Sequence, residues 1–311
     1  MIQKNISFKN KKSNIYLAAT LQLPAYDGRY PCMLLVAGSG QHSRNDDMVL
    51  NALADKLAVE GVASLLMDKR GCGESEGDYF KSTTNDFASD VLSAYDFLGD
   101  LPEIDKNQIG LIGHSEGGAL SSQVASLRNN VSLVVLLAPP GFNGRTMFVL
   151  QNEFLCTKEK SIKKVRDLAN QAVDEILSCN DKMTFNKRIG IIFDNFNDRQ
   201  KDELKPAWDV LDRLPLAWLK FFSTYEPVYF MRQITCPVFA IFCSEDRNVP
   251  PEKIKPRLKE VLQSNSHGDS IIKEYPGLNH QMQHTKNGEL SDIVINDIVH
   301  WVIKCLAKKV P

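Results

Sequence analysis

The chain has 311 residues, 43% of them apolar and 24% charged, the balance of an ordinary globular protein with one large core or two smaller ones. Its 37 Lys and Arg offset 38 Asp and Glu, so the charge gives no reason to expect nucleic acid or an anionic membrane as partner. The residues from Met1 to Ser7 lack the apolar core of a signal peptide, and no segment approaches the run of about 20 apolar residues that spans a bilayer.

In chain order, residues 15–23 read as a strand ended by Pro24, and 32–37 as a buried strand stopped by Gly38-Ser39-Gly40. Residues 48–59 carry Leu50, Leu53, Leu57 and Ala58 on a helical period, closed by Gly61. A short buried strand over 62–67 ends in Asp68 and the turn-forming Gly71-Cys72-Gly73. Residues 87–98 predict a helix with Phe87, Val91, Ala94, Tyr95 and Leu98 on one face. Then come a strand over 109–112, a helix over 118–127, and a strand over 131–137 cut off by Pro139-Pro140-Gly141. Beyond a long interruption, 238–243 and 270–275 read as strands, 251–262 and 293–306 as helices.

Buried strands alternating with amphipathic helices imply an α/β fold, a mostly parallel sheet covered on both faces and joined by right-handed crossovers. In such sheets chemistry gathers beyond the carboxyl ends of the strands. The interruption, 142–233, is richer in Lys, Asp, Glu and Asn, with helical stretches over 146–157 and 160–177. Its aromatics come late: Trp208, Trp218, Phe221, Phe222, Tyr225, Tyr229 and Phe230. The expectation is a helical cap, or lid, inserted into a core made of 1–141 and 234–311; a separate domain with its own core is the alternative. Seven scattered cysteines, odd in number and never in a C-x-x-C pair, suit a reducing cytoplasm.

Gly113-His114-Ser115-Glu116-Gly117 fits G-x-S-x-G between a strand and a helix. That context forces the middle residue into a strained conformation and demands tiny neighbours, here Gly113 and Gly117. A serine hydroxyl is a weak nucleophile until a base takes its proton, and imidazole suits the task near neutrality. Of six histidines, His42 precedes the motif, His114 lies inside it, His267 falls in a polar loop and His300 in an apolar helix. His280 follows the last strand through Pro276-Gly277-Leu278-Asn279 and is favoured over His284; a metal held by these two lacks a third ligand.

The imidazole needs an acid, and Ser244-Glu245-Asp246-Arg247 after the 238–243 strand offers Asp246, with Glu245 in reserve. Developing negative charge needs two backbone donors. The amide of Glu116 is one, and that of Ser39, ahead of Gln41, is the other. Asp68, Arg70 and Glu74 read as a turn-stabilising ion-pair group, and the Glu116 side chain as a complement to the positive end of its helix.

Together these segments, with Asp68-Lys69-Arg70-Gly71-Cys72-Gly73-Glu74-Ser75 and Asp246-Arg247-Asn248-Val249-Pro250, resemble the α/β-hydrolases. Within them they are similar to bacterial carboxylesterase-like proteins near dienelactone hydrolases and serine aminopeptidases. The resemblance spans nearly the whole chain outside the insertion. It implies nucleophile Ser115, acid Asp246, base His280 and oxyanion amides from Ser39 and Glu116. One departure is Ala37-Gly38 where many members carry His-Gly; Arg44-Asn45-Asp46 resembles a loop that often follows the glycines. The expected activity is two-step hydrolysis of a small ester with no metal or cofactor. A peptidase or acyltransferase on the same triad, or a non-catalytic binding protein of the same fold, are the alternatives.

Overall fold

The computed structural model describes residues 1–25, 27–156, 162–264 and 270–308. Its sheet has eight strands in the order β1-β2-β4-β3-β5-β6-β7-β8. The first two, β1 (Ile2–Asn10) and β2 (Ile15–Leu23), pair antiparallel, and β2 pairs antiparallel with β4 (Ala63–Met67). From there every pairing is parallel, through β3 (Tyr30–Val36), β5 (Ile104–His114), β6 (Val134–Leu137), β7 (Val238–Cys243) and β8 (Ile271–Tyr275). The parallel strands β3, β6 and β7 are apolar runs buried on both faces, as their coverage requires.

Right-handed crossovers decide which face each helix covers. The chain steps from β3 to β4 in one direction through α1 (Met48–Val59), then returns past β3 to β5 through α2 (Thr84–Asp100). It continues the second way through α3 (Glu116–Leu127) and α10 (Pro251–Gln263). Helix α1 therefore lies on one face, where α11 (Asp292–Ala307) packs against it, and α2, α3 and α10 lie on the other. The order reverses between β3 and β5, which opens a crevice at their carboxyl ends.

Between β6 and β7 the described residues form six helices: α4 (Gly144–Leu155), α5 (Ile162–Ser178), α6 (Lys182–Phe193), α7 (Asp198–Arg213), α8 (Leu216–Thr224) and α9 (Pro227–Met231). The end of the expected helix at Thr157 and the start of the next at Lys160 lie outside the described residues, as does His267. Within this segment Trp208 is buried among Phe148, Phe193 and Phe196, and its indole N–H donates to Asn152 Oδ1 at 2.7 Å. The segment thus has apolar packing of its own. Tyr225 fastens it to the sheet side, donating to Gln123 Oε1 on α3 at 2.9 Å, and α9 packs on α3 and α10.

Candidate active site

Ser115 sits between the end of β5 and the start of α3 with φ 53° and ψ −120°. This left-handed backbone is costly for a residue with a Cβ, and its surroundings hold it. The Ser115 amide donates to the Leu137 carbonyl at 2.8 Å, and the Gly118 amide donates to the Ser115 carbonyl at 2.9 Å. The flanking glycines are required for space. A Cβ on Gly117 would sink into the Val36 carbonyl and lie 2.8 Å from that of Ala37. One on Gly113 would drive into the Gly117 carbonyl, and one on Gly38 would meet the Ser115 Cβ at 3.1 Å. The strand, the helix and the loop after β3 therefore converge on Ser115.

His280 follows β8 in a loop, and its Nδ1–H donates to Asp246 Oδ2 at 2.7 Å. Asp246 is fully buried after β7, and its Oδ1 accepts from the amides of Asn248 and Val249, each at 2.8 Å. With one carboxylate oxygen filled by backbone donors, the other faces only the imidazole. A proton on Nδ1 leaves Nε2 with a lone pair, the form a general base needs. Glu245 is exposed, and His284 forms a bridge with Leu278, its amide donating to the Glu289 carbonyl at 2.8 Å.

His114 does more than flank the serine. Its ring is buried, with Nδ1 3.1 Å from Asp47 Oδ2 and Nε2 2.9 Å from the His280 carbonyl oxygen. Burial works against a charge on this ring. The hydrogen bond to Asp47 and its attraction, helped by the His280 carbonyl and Asp246, win and raise His114 above the ordinary imidazole value. Burial likewise penalises Asp47, yet His114 and the Leu50 amide hold it below the usual carboxylate range. Both ring nitrogens face acceptors, so a protonated ring satisfies both and ties the His280 backbone to α1.

The charged residues near Asp68 pair otherwise than the sequence suggests. Arg70 does not reach Asp68 or Glu74; its guanidinium grips Asp90 on α2 with two bonds of 2.6 and 2.7 Å. Asp68 and Glu74 instead share Arg44, which gives the segment Arg44-Asn45-Asp46 a structural role. Sequence spacing could not show this, because the partners lie on different elements.

Glu116, expected to serve the helix terminus, is buried in a network. Its Oε1 accepts from Thr84 Oγ1 at 2.8 Å and from the Trp218 indole N–H at 2.7 Å, and its Oε2 lies 3.3 Å from Lys69 Nζ. Neither Lys69 nor Trp218 stands out in the sequence as a site residue.

A cavity of about 300 Å³ joins these groups. Ser39, Ser115, Glu116 and His280 line its sheet end, and Met147, Phe148, Val173, Leu211, Trp218 and Phe222 line its far side. Glu116 is the acidic side chain among its described lining residues, and Arg247 and His280 are the basic ones.

A model of the alpha/beta hydrolase family matches residues 33–291, from β3 to the threshold of the last helix. The chain belongs to the alpha/beta hydrolase family. It is 22% identical to esterase EstD of Thermotoga maritima, over 96% of its own length and 68% of the relative's. The fold is similar to that of the alpha/beta hydrolase GrgF from Penicillium sp. sh18, at TM-score 0.67 and 15% identity, covering 99% of each chain. It is also similar to Est1E from Butyrivibrio proteoclasticus, solved with ferulic acid bound, at TM-score 0.64 and 18% identity, over 97% of this chain and 99% of that one. Within this alpha/beta hydrolase, the reversal of strand order and the strained serine occupy the same crevice. No described helix is long and apolar enough to cross a membrane.

Proposed function

We propose that the protein is a serine esterase acting on small apolar carboxylic esters, with Ser115 as nucleophile, His280 as base and Asp246 as the orienting acid. The observation that carries the reading is the Asp246-held imidazole lining one cavity with a serine at positive φ. His280 Nε2 takes the proton from Ser115 Oγ as the oxygen attacks the ester carbonyl carbon. The amides of Ser39 and Glu116 receive the charge that develops on the carbonyl oxygen. The tetrahedral adduct collapses, and the alcohol leaves with the proton from His280. Water, deprotonated by the same imidazole, then releases the acid and restores Ser115.

The helices of 142–233 act as a cap over the site, and their apolar residues receive the acyl group. A cavity near the lower end of the usual range of roughly 300–1,000 Å³ suits a small ligand. An aminopeptidase reading needs an acidic group for the substrate's amine. Glu116 is already engaged by Lys69, Thr84 and Trp218, which favours the esterase. A panel of p-nitrophenyl esters of two to twelve carbons beside aminoacyl anilides tests this. Hydrolysis of the esters with negligible anilide turnover is expected; faster anilide cleavage would overturn the assignment.

A further inference from the structure

A carboxylate directly after the nucleophile is electrostatically wrong for an acyl transfer that builds negative charge there, and a buried site damps the conflict little. The Glu116 side chain is fully buried, and Lys69 Nζ lies against its Oε2. Lys69 is itself nearly buried, held 4.4 Å above the centre of the Phe87 ring. The same ammonium donates to the Gly38 carbonyl oxygen at 2.6 Å. That carbonyl belongs to the peptide plane whose N–H is Ser39's. In a trans peptide the N–H points opposite to the C=O. Fixing the carbonyl on Lys69 therefore aims the Ser39 hydrogen away from Lys69. Drawing density from the oxygen also makes the amide a stronger donor.

Resting on the esterase reading above, we propose that Lys69 is a positioning residue for the oxyanion hole, one ammonium serving both halves. It cancels the Glu116 carboxylate beside one donor and sets the peptide plane of the other. Trp218 and Thr84 hold the carboxylate on the bearing that lets Lys69 reach both partners. The role concerns the transition state, so it belongs in kcat and leaves substrate binding alone.

The test compares Lys69→Met, Glu116→Gln and the double variant on p-nitrophenyl octanoate, with a trifluoromethyl ketone carrying an octyl chain as tetrahedral mimic and octanoate as product mimic. Deleting an oxyanion donor outright lowers kcat about 10²–10³-fold, so misplacing one should cost about ten- to a hundredfold. Lys69→Met is expected to show that loss with KM within about threefold, and to weaken the ketone by the same factor while octanoate binds as before. The double variant should outpace Lys69→Met, its carboxylate being gone, and should run slower than Glu116→Gln, which keeps the ammonium on the Gly38 carbonyl. A Lys69→Met kcat within threefold of native, equal weakening of ketone and octanoate, or a double variant no faster than Lys69→Met overturns the proposal. Should Lys69→Met not fold, Glu116→Gln against the double variant reads the same step; equal rates there overturn it. Fluorophosphonate labelling of the native chain separates the two readings. If Ser115 does not label, the esterase reading fails whatever Lys69 does; if it labels and Lys69→Met is silent, only the Lys69 role fails.

Discussion

Replacing Asp246 by Asn probes the site with little change of shape. The Asn oxygen can keep accepting from the amides of Asn248 and Val249, now at 2.8 Å from Asp246 Oδ1. Its NH₂ then replaces Oδ2, 2.7 Å from His280 Nδ1, and donates where the carboxylate accepted. The ring must answer with a lone pair on Nδ1 and its proton on Nε2, the tautomer that cannot take the proton of Ser115. Such an exchange lowers kcat by about 10⁴ in serine hydrolases, or about 5.4 kcal/mol at about 1.36 kcal/mol per tenfold. Weakening two charge-assisted bonds to neutral ones costs the fold only about 1–2 kcal/mol. Rate and stability therefore separate. Steady-state kinetics on a p-nitrophenyl ester, beside urea denaturation of the same preparation, should show kcat down by three to four orders of magnitude with a cooperative transition retained. A variant keeping a tenth of native kcat, or losing rate only in step with its folded fraction, would refute the reasoning.

Other consequences are as direct. Gly117→Ala should destabilise the chain by about 1–3 kcal/mol or more, because its Cβ meets the backbone of Val36 and Ala37, which cannot rotate away; an unchanged urea midpoint would contradict the packing. Arg70→Met leaves Asp90 buried without its guanidinium and should cost about 3–5 kcal/mol in urea unfolding; a loss under 1 kcal/mol would show the pair is dispensable. His114 is raised in the folded chain above the ordinary imidazole value of 6.5, so its contribution is complete below that pH and fades as pH rises through the folded value. Asp47, lowered from 3.8, keeps its partner charge throughout that window. The stability gap between the native chain and His114→Gln should therefore shrink from pH 5.5 to pH 9 in urea titrations, and a gap constant with pH would rule the pairing out.

Elements with a strong local period were legible in the sequence. Helix α1 and strand β7 have the bounds that the apolar spacing predicts, and α2, α10 and α11 extend beyond theirs by a residue to a turn. Strand β1 was missed. It is an edge strand with alternating exposure, and IQKNISFKN offers few buried positions to mark it. Strand β5 runs longer than its apolar centre, because Ile104 already pairs with Tyr30 and the register shifts across the polar 105–108 before pairing resumes at Ile109. At the candidate site, the sequence could propose Ser115, Asp246 and His280 because each follows a strand, and strand ends are readable. Lys69, Trp218 and the His114–Asp47 pair could not. Their significance lies in contacts between remote elements, and nothing local distinguishes a lysine beside a buried carboxylate from one in water.

The central claim is that Ser115 is a nucleophile activated by His280. Incubating the native chain, Ser115→Ala and His280→Ala with a fluorophosphonate, then mapping the adduct by peptide mass spectrometry, tests it most directly. One adduct on Ser115, none on the Ala variant, and slow labelling without His280 are expected. Labelling elsewhere, or ester turnover undiminished in Ser115→Ala, would contradict it.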